Sequence, residues 1–582
     1  MNPASPTPPD SHPPGAAEAS QIDRTLKRPA TWHLKVELLV LLFLTAGGGF
    51  IRLLGLTSIA ISHFDAGIYA QSGLWPWTGA FHFQQGYYSP PLYPGLLGVV
   101  NYLIGGPTDW SGAFISAIAG TLLIPVCWWI GRSWFSPTAG WMAALFVTLD
   151  GFHIVFSRVG LTDELFTLLF ISGLACSIGA VTKGGWGRII AAGLLVGLAW
   201  NTKYNGFLAI ALTAGFLLHP QSARRTVRSL SVSVIAGLVY LPWALWFHVQ
   251  HGYGTLLEHQ RGYVQGWAGI VPNWGEFLHD MDVVSPPSLG ICLLLVMLAS
   301  IRRANPIALM TLGLIALIGS GLEVIGWPWM VWIPTAFLGA WFGVPRESRI
   351  GFFTMLGGLL LLPAIYMPYL RLWLPTETVI VLLAAGGFAR ALTTWENAPD
   401  PVPQPHQLLT TRLALFLTSI LCLYVLMPGT AVQRFRFWVE NCYRPHAGYR
   451  GYWNPEGFAP APIDWNETLR TEGRVFALVR PPLTFDLSPP MGQQEKLLPL
   501  GGDPLNLNEI GRSDLLLVDR AILDTPSFQP TFDAAMGQML PTIDGPIDPD
   551  MVTILDDYHG QNLRQDLPNF LQTYRFFVFR PR

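Results

Sequence analysis

The sequence predicts an all-α polytopic membrane protein of about 13 transmembrane helices, followed by a C-terminal extracytoplasmic domain of α/β or α+β type. Three observations predict it. The 582-residue chain is 51% hydrophobic and only 12% charged, where a soluble domain carries about 25% charge. Apolar runs of membrane-spanning or nearly membrane-spanning length recur along most of the chain. Lys and Arg gather in alternate loops, the asymmetry of a chain oriented with its positive loops in the cytoplasm.

Taken in order, residues 1–30 are rich in Pro, Ser and Ala, lack the apolar core of a signal peptide, and read as a disordered cytoplasmic tail. Spans are read at about 36–55, 112–131, 138–156, 163–182, 188–201, 206–219, 229–248, 287–301, 305–323, 329–344, 350–366, 374–391 and 413–428. Residues 92–105 are apolar but short and contain Pro94 and Gly95, which makes them interfacial or re-entrant. Counting them as a span would put Arg132 outside and break the alternation. Without them, Arg132, Lys183, Arg188, Arg224, Arg225, Arg228, Arg302, Arg303, Arg346, Arg349, Arg390 and Arg412 share the side of the N-terminal tail. The domains are then a tail (1–30), a transmembrane domain (31–429) and an extracytoplasmic domain (430–582), in the plasma membrane with the N-terminus cytoplasmic. In the last domain, apolar runs at 475–479, 515–518 and 576–579 read as buried strands, and 505–512 and 531–539 carry helical patterns.

Composition also excludes. A net charge of −2 with no basic stripe gives no reason to expect nucleic acid. Of five Cys, four lie in apolar segments, so neither a disulfide framework nor a thiolate metal motif exists. No sequence repeat is evident, which weakens an inverted-repeat transporter.

The external face carries few cations between its spans: Arg52, Arg158, Lys203, Arg261 and Arg371. Each either snorkels to lipid phosphate or binds an anionic ligand. Four polar clusters share this level. They are His63, Asp65 and Tyr69; Tyr87 to Tyr93; Ser157 to Glu164; and Asn201 to Gly206. Asp65 is the only acid between Glu37 and Asp109. Alone it reads as a solvated loop residue. Beside the other clusters, Asp65, Asp163 and Glu164 suit proton transfer or a divalent cation, and metal dependence is left open. Arg158 and Lys203 suit phosphate, although Arg158 could equally pair with Asp163, and the two acids also suit a helix N-terminus. Trp75, Trp77, Tyr87 and Tyr88 could stack on sugar faces or anchor the interface. His259 and Arg261 sit on a long external loop, closing over a ligand or simply solvated.

The order of these motifs resembles the GT-C superfamily of membrane glycosyltransferases. The features are an acid in the first external loop, Pro90-Pro91-Leu92-Tyr93, then Phe156-Ser157-Arg158 with Asp163. Thr202-Lys203-Tyr204 with Gly206 follows, and finally Tyr369-Leu370-Arg371-Leu372-Trp373-Leu374-Pro375. They look most like the dolichyl-phosphate-mannose protein mannosyltransferase branch and its bacterial aminoarabinose-transferase relatives. The resemblance covers about 36–395. It implies transfer of a sugar from a polyprenyl-phosphate donor to a protein, lipid or glycan acceptor outside the membrane. Asp65 is then the base and Asp163 a second functional acid. Arg158, Lys203, Arg371, Tyr69, Tyr88, Glu164 and Arg261 are candidate substrate contacts. Two departures stand out: Ser89 replaces the basic residue before Pro-Pro, and Asp65-Ala66 replaces an Asp-Glu pair.

The chemistry agrees from below. A hydroxyl acceptor needs a carboxylate to remove its proton, and a phosphate leaving group needs cations. No Gly-rich nucleotide loop appears, which suits a lipid-phosphate donor. The rivals are a transporter or flippase of lipid-linked saccharide, and a non-catalytic membrane subunit. A transporter should show charges deep in both halves, whereas Asp150 in the third span has no evident matching relay.

Overall fold

The computed structural model describes residues 30–58, 64–78, 89–108, 110–218, 223–250, 252–275, 336–337, 340–341, 344, 346–366 and 369–396, and strands between 475 and 579. In chain order the longer helices are α1 (Ala30–Leu53), α2 (Phe64–Ser72), α3 (Leu92–Leu103), α4 (Ser111–Trp134), α5 (Pro137–Leu149) and α6 (Gly151–Phe156). They continue as α7 (Asp163–Lys183), α8 (Trp186–Trp200), α9 (Ala223–Gln250), α10 (Tyr253–Gly262), α11 (Arg349–Ala364) and α12 (Leu374–Glu396). Three are long and apolar enough to cross a membrane: α4 and α7, each at mean hydropathy 2.0, and Arg224–Gln250 within α9, at 1.8.

The bundle core is formed where α4 packs on α5, α7 on α8 and α8 on α9, with α12 lying against α4, α5 and α7. Small residues permit the closest crossing. A Cβ on Gly131 of α4 would lie 2.9 Å from the Ala139 carbonyl and 3.0 Å from Gly140 Cα of α5. Apolar side chains that miss the core face outward. Val227, Leu230, Val234, Leu238, Leu241 and Leu245 form an exposed stripe at helical spacing on α9, the surface a lipid phase would cover. Next to Gly131, Arg132 of α4 pairs with Glu37 of α1.

Two expected spans are not continuous helices. The run at 138–156 is divided at Asp150, whose backbone is extended and whose side chain accepts the Phe152 N–H at 3.0 Å, so Asp150 both ends α5 and caps α6. The run at 206–219 is a 3-10 turn (Tyr204–Phe207), a short helix (Leu208–Ala211) and a second 3-10 turn (Ala214–Leu218). The expected interfacial segment is the helix α3, packed on α2 and α4. Spans at 287–301, 305–323 and 413–428, and most of 329–344, lie outside the described residues.

Strands form at the three apolar runs of the C-terminal region. The sheet holds β1 (Val475–Leu478), β2 (Leu497–Pro499), β3 (Leu515–Asp519), β4 (Val552–Ile554) and β5 (Phe576–Phe579) in the order β2-β1-β3-β5-β4. β1 runs parallel to β2 and β3, while β5 runs antiparallel to β3 and β4. The helical patterns at 505–512 and 531–539 lie outside the described residues.

Candidate active site

Backbone contacts bring the sequence-distant polar clusters together. The Leu92 N–H donates to the Asn201 carbonyl at 2.9 Å, joining the Pro-Pro-Leu-Tyr step to the break after α8. Tyr93 donates its hydroxyl to the Gly112 carbonyl at 2.9 Å and packs edge-on against Tyr69, ring centroids 5.4 Å apart. Ser116 donates to the Leu161 carbonyl at 3.0 Å, tying α4 to the turn before α7. The glycine of the Thr-Lys-Tyr-Asn-Gly stretch has a steric reason. The chain folds back so tightly that a Cβ on Gly206 would strike the backbone of Ala199 and Trp200.

Between these elements lies a cavity of about 730 Å³. Among the described residues its charged lining is Asp65, Lys203 and Arg371, accompanied by Tyr69 and Ser89. The lining also includes the apolar side chains of Phe166, Phe170, Leu208, Leu359, Leu362 and Ile365. Asp65 and Lys203 therefore share one hollow, although 138 positions separate them in the chain (203 − 65).

Each cation of the lining pairs with an acid. Arg371 Nη2 lies 2.5 Å from Asp65 Oδ2, and its guanidinium sits over the Tyr369 ring at 5.1 Å. Lys203 Nζ lies 2.5 Å from Asp163 Oδ1 and 5.6 Å from the centre of the Phe166 ring. Burial pushes the Lys203 ammonium below its usual range, and the Asp163 carboxylate opposes that shift. Burial, reinforced by the Asp65 carboxylate, pushes the Tyr69 hydroxyl well up, so it stays a neutral donor. The remaining rim is aromatic. Tyr263 and Tyr366 stack at 5.8 Å, and the Tyr366 hydroxyl bonds to Gln260 at 2.9 Å. The Gln265 and Gly266 N–H groups both donate to the Ile365 carbonyl at 3.0 Å, stitching the end of α10 to that of α11.

Other expected site residues are placed elsewhere. Arg158 is not part of the cavity lining and is not held by Asp163 in this ion-pair geometry. Its Nη1 donates to the carbonyls of Ile51, Arg52 and Leu54 at 3.1, 3.2 and 2.7 Å, closing the C-terminal end of α1. Arg52, read from sequence as an interfacial or ligand-binding cation, is fully buried. It donates to Ser157 Oγ and to the carbonyls of Gly48, Thr148 and Val147. Glu164 starts α7 beside Asp163 but points into the bundle, where it accepts from His153 Nδ1 at 3.0 Å. Arg261 is exposed on α10, near the rim residues Gln260 and Tyr263 but outside the lining. Tyr87, Tyr88 and His63 lie outside the described residues.

Sequence reasoning missed a buried group. Asp150 does have partners: His153 of α6 and Glu377 of α12 gather with it, and Glu164 closes on the far side of the ring. Asp150 and His153 are three residues apart inside an apolar run, and Glu377 reads as an ordinary acid in a first helical turn. Nothing in their spacing links them across more than 200 positions (377 − 153).

Residues 88–246 match the family described as dolichyl-phosphate-mannose-protein mannosyltransferase. The lipid A galacturonosyltransferase RgtD of Rhizobium johnstonii is 27% identical over 252 residues, which cover 41% of this chain. The chain spans about half the length of that curated relative (51%). ArnT from Cupriavidus metallidurans in the apo state superposes with a TM-score of 0.54 at 15% identity, over 95% of this chain and 98% of that one. The same protein bound to undecaprenyl phosphate gives 0.53 at 14% identity, over 94% and 98%. The chain thus resembles the GT-C membrane glycosyltransferases in fold, as the order of its motifs implied.

Proposed function

We propose that this chain is an integral-membrane glycosyltransferase. It moves a sugar from a polyprenyl-phosphate donor to an acceptor at the extracytoplasmic face. The observation that carries the reading is one cavity whose lining combines two cations, each paired with a carboxylate, and many apolar side chains. A ligand matching both must join an anionic head to an apolar tail, and a sugar-bearing prenyl phosphate does so. The solved relative that carries undecaprenyl phosphate supports the same donor class.

The step follows from the residues. The donor phosphate draws Arg371 away from Asp65 and is held by Arg371 and Lys203, which trade a carboxylate for a phosphate at little electrostatic cost. Asp65, freed of its cation, accepts the proton of the acceptor hydroxyl as that oxygen bonds to the anomeric carbon. The bond from that carbon to the phosphate oxygen breaks, and the electron pair leaves on a prenyl phosphate neutralised by the two cations. Before the donor binds, Asp163 holds Lys203 in position, and Tyr69 stays available as a neutral donor. Ser89 adds a hydroxyl to the lining. Tyr88 and Arg261 are donor contacts on the resemblance alone. The sided topology, the about 13 spans and the division at 30 and 430 belong to this proposal. A lipid or its glycan is the first acceptor class to assay, given the lipid A transferase among the relatives.

Purified protein in liposomes, supplied with prenyl-phosphate sugar and candidate acceptors, tests the reading. Glycosylated acceptor should form without net movement of donor between leaflets. The buried group around Asp150 is the kind of feature a transporter would contain, and it makes the flippase the second reading. Donor movement without product would select it.

A further inference from the structure

We infer that Asp150, His153 and Glu377 form a binding site for one divalent first-row metal ion, separate from the cavity. Glu164 orients the imidazole. A ring nitrogen of His153 and one carboxylate oxygen each from Asp150 and Glu377 lie within 4.8 Å of one another, and all three residues are buried. Their relative exposures are 5%, 0% and 3%.

The hydrogens decide the chemistry. Glu164 Oε1 faces His153 Nδ1 at 3.0 Å, which places the ring proton of a neutral imidazole on Nδ1 and leaves a lone pair on Nε2. That lone pair faces Thr378 Oγ1 at 3.1 Å, but the threonine proton is committed to the Leu374 carbonyl at 2.8 Å. Glu377 Oε2 lies 3.0 Å from the same nitrogen and makes no hydrogen bond. A buried oxygen of Asp150 and the second oxygen of Glu164 also make none. The Nε2 lone pair of His153 and the unbonded oxygens of Asp150 and Glu377 thus converge, inside a closed region where bare carboxylates are costly. A divalent cation answers this arrangement. One imidazole and two carboxylates are a common donor set for zinc, with bonds of about 2.0–2.2 Å and donors about 3.3 Å apart. A carboxylate on the far ring nitrogen is the usual outer support of a metal-bound histidine. The ion would join α6, α7 and α12, and so fix Asp163 of α7 relative to the turn that carries Arg371.

Metal content tests this without reference to transfer activity. Full-length protein, purified in detergent with any histidine tag removed, should carry about one zinc or manganese per chain by plasma mass spectrometry. Stripping with EDTA should lower its melting midpoint, and returning Zn²⁺ or Mn²⁺ alone should restore it. Glu377→Gln and His153→Ala should lose the metal. Glu164→Gln still offers an oxygen to Nδ1–H and should fold, with affinity reduced about 10–100-fold. Asp65→Asn should retain it. Wild-type protein that holds no metal and gives no melting response to either ion overturns the inference, leaving protons to neutralise the group. Metal kept by Glu377→Gln but lost from Asp65→Asn also overturns it, since the ion would then belong to the cavity.

Discussion

The cations at the end of α1 and those in the cavity began as one class, and the fold divides them. Arg52 and Arg158 hold backbone carbonyls of α1 and of the α5–α6 break. Lys203 and Arg371 hold carboxylates at the rim of an open hollow. The partner sets what each can do. A carbonyl at a helix end is fixed by its own backbone, so its arginine cannot leave without orphaning buried acceptors. A carboxylate can be exchanged for a phosphate of equal or greater charge, so its cation is free to change partner. The same residue type thus serves architecture in one region and ligand exchange in the other.

The comparison can be broken most decisively at Asp65. Asp65→Asn should lower transfer by about 10²–10⁴-fold with normal membrane insertion, because the proton then has no acceptor. Near-wild-type turnover would remove this residue from the chemistry. Next come the exchanging cations. Arg371→Gln and Lys203→Gln should each reduce the kcat/KM of the folded protein by about 10²-fold or more. A collapse in stability with unchanged turnover of the surviving protein would place them with the architectural pair.

The opposite signature is expected for Arg158→Gln and Arg52→Gln. Each should cost on the order of 1–3 kcal/mol of stability, the penalty for stranding buried carbonyls. Yield and melting midpoint should fall, and the activity per folded molecule should persist. A pH profile sharpens the division further. Because burial lowers the Lys203 ammonium, it loses its charge at a lower pH than an exposed lysine. Phosphate binding should therefore fail on the alkaline side, starting below the ordinary lysine value of about 10.4. Lys203→Arg should move that limb upward, since a guanidinium stays charged. The smallest effect belongs to Arg261→Ala. Exposed and off the lining, it should change KM by less than about threefold. A larger change would show that the α10 segment closes over bound donor.

Much of this was legible before any coordinates. Long apolar runs announced α4, α7 and α9 because a helix must satisfy its backbone within hydrocarbon. The strands at 475–478, 515–519 and 576–579 were marked by short apolar runs between turn-rich stretches. Asp65, Lys203 and Arg371 were legible as polar interruptions of apolar sequence, and the cavity gathers all three. Arg158 and Glu164 were read toward the ligand because residue type tells nothing of direction. One turn points Asp163 at Lys203, and the next residue points Glu164 at His153. The break at Asp150 was hidden because a single cap can end a helix inside an apolar run without changing its hydropathy.

By itself, then, the sequence determined a helical chain with segments apolar enough to cross a membrane, and the residue types available at its polar breaks. Periodicity and transfer energy are local quantities, and both are written in consecutive residues. Only the tertiary structure decided which acid meets which cation. It alone assembled Asp150, His153, Glu164 and Glu377 from three helices, and turned two arginines inward to backbone. Those pairings depend on the rotation of each helix about its axis. Packing of side chains from distant parts of the chain sets that rotation, and no window of sequence contains it.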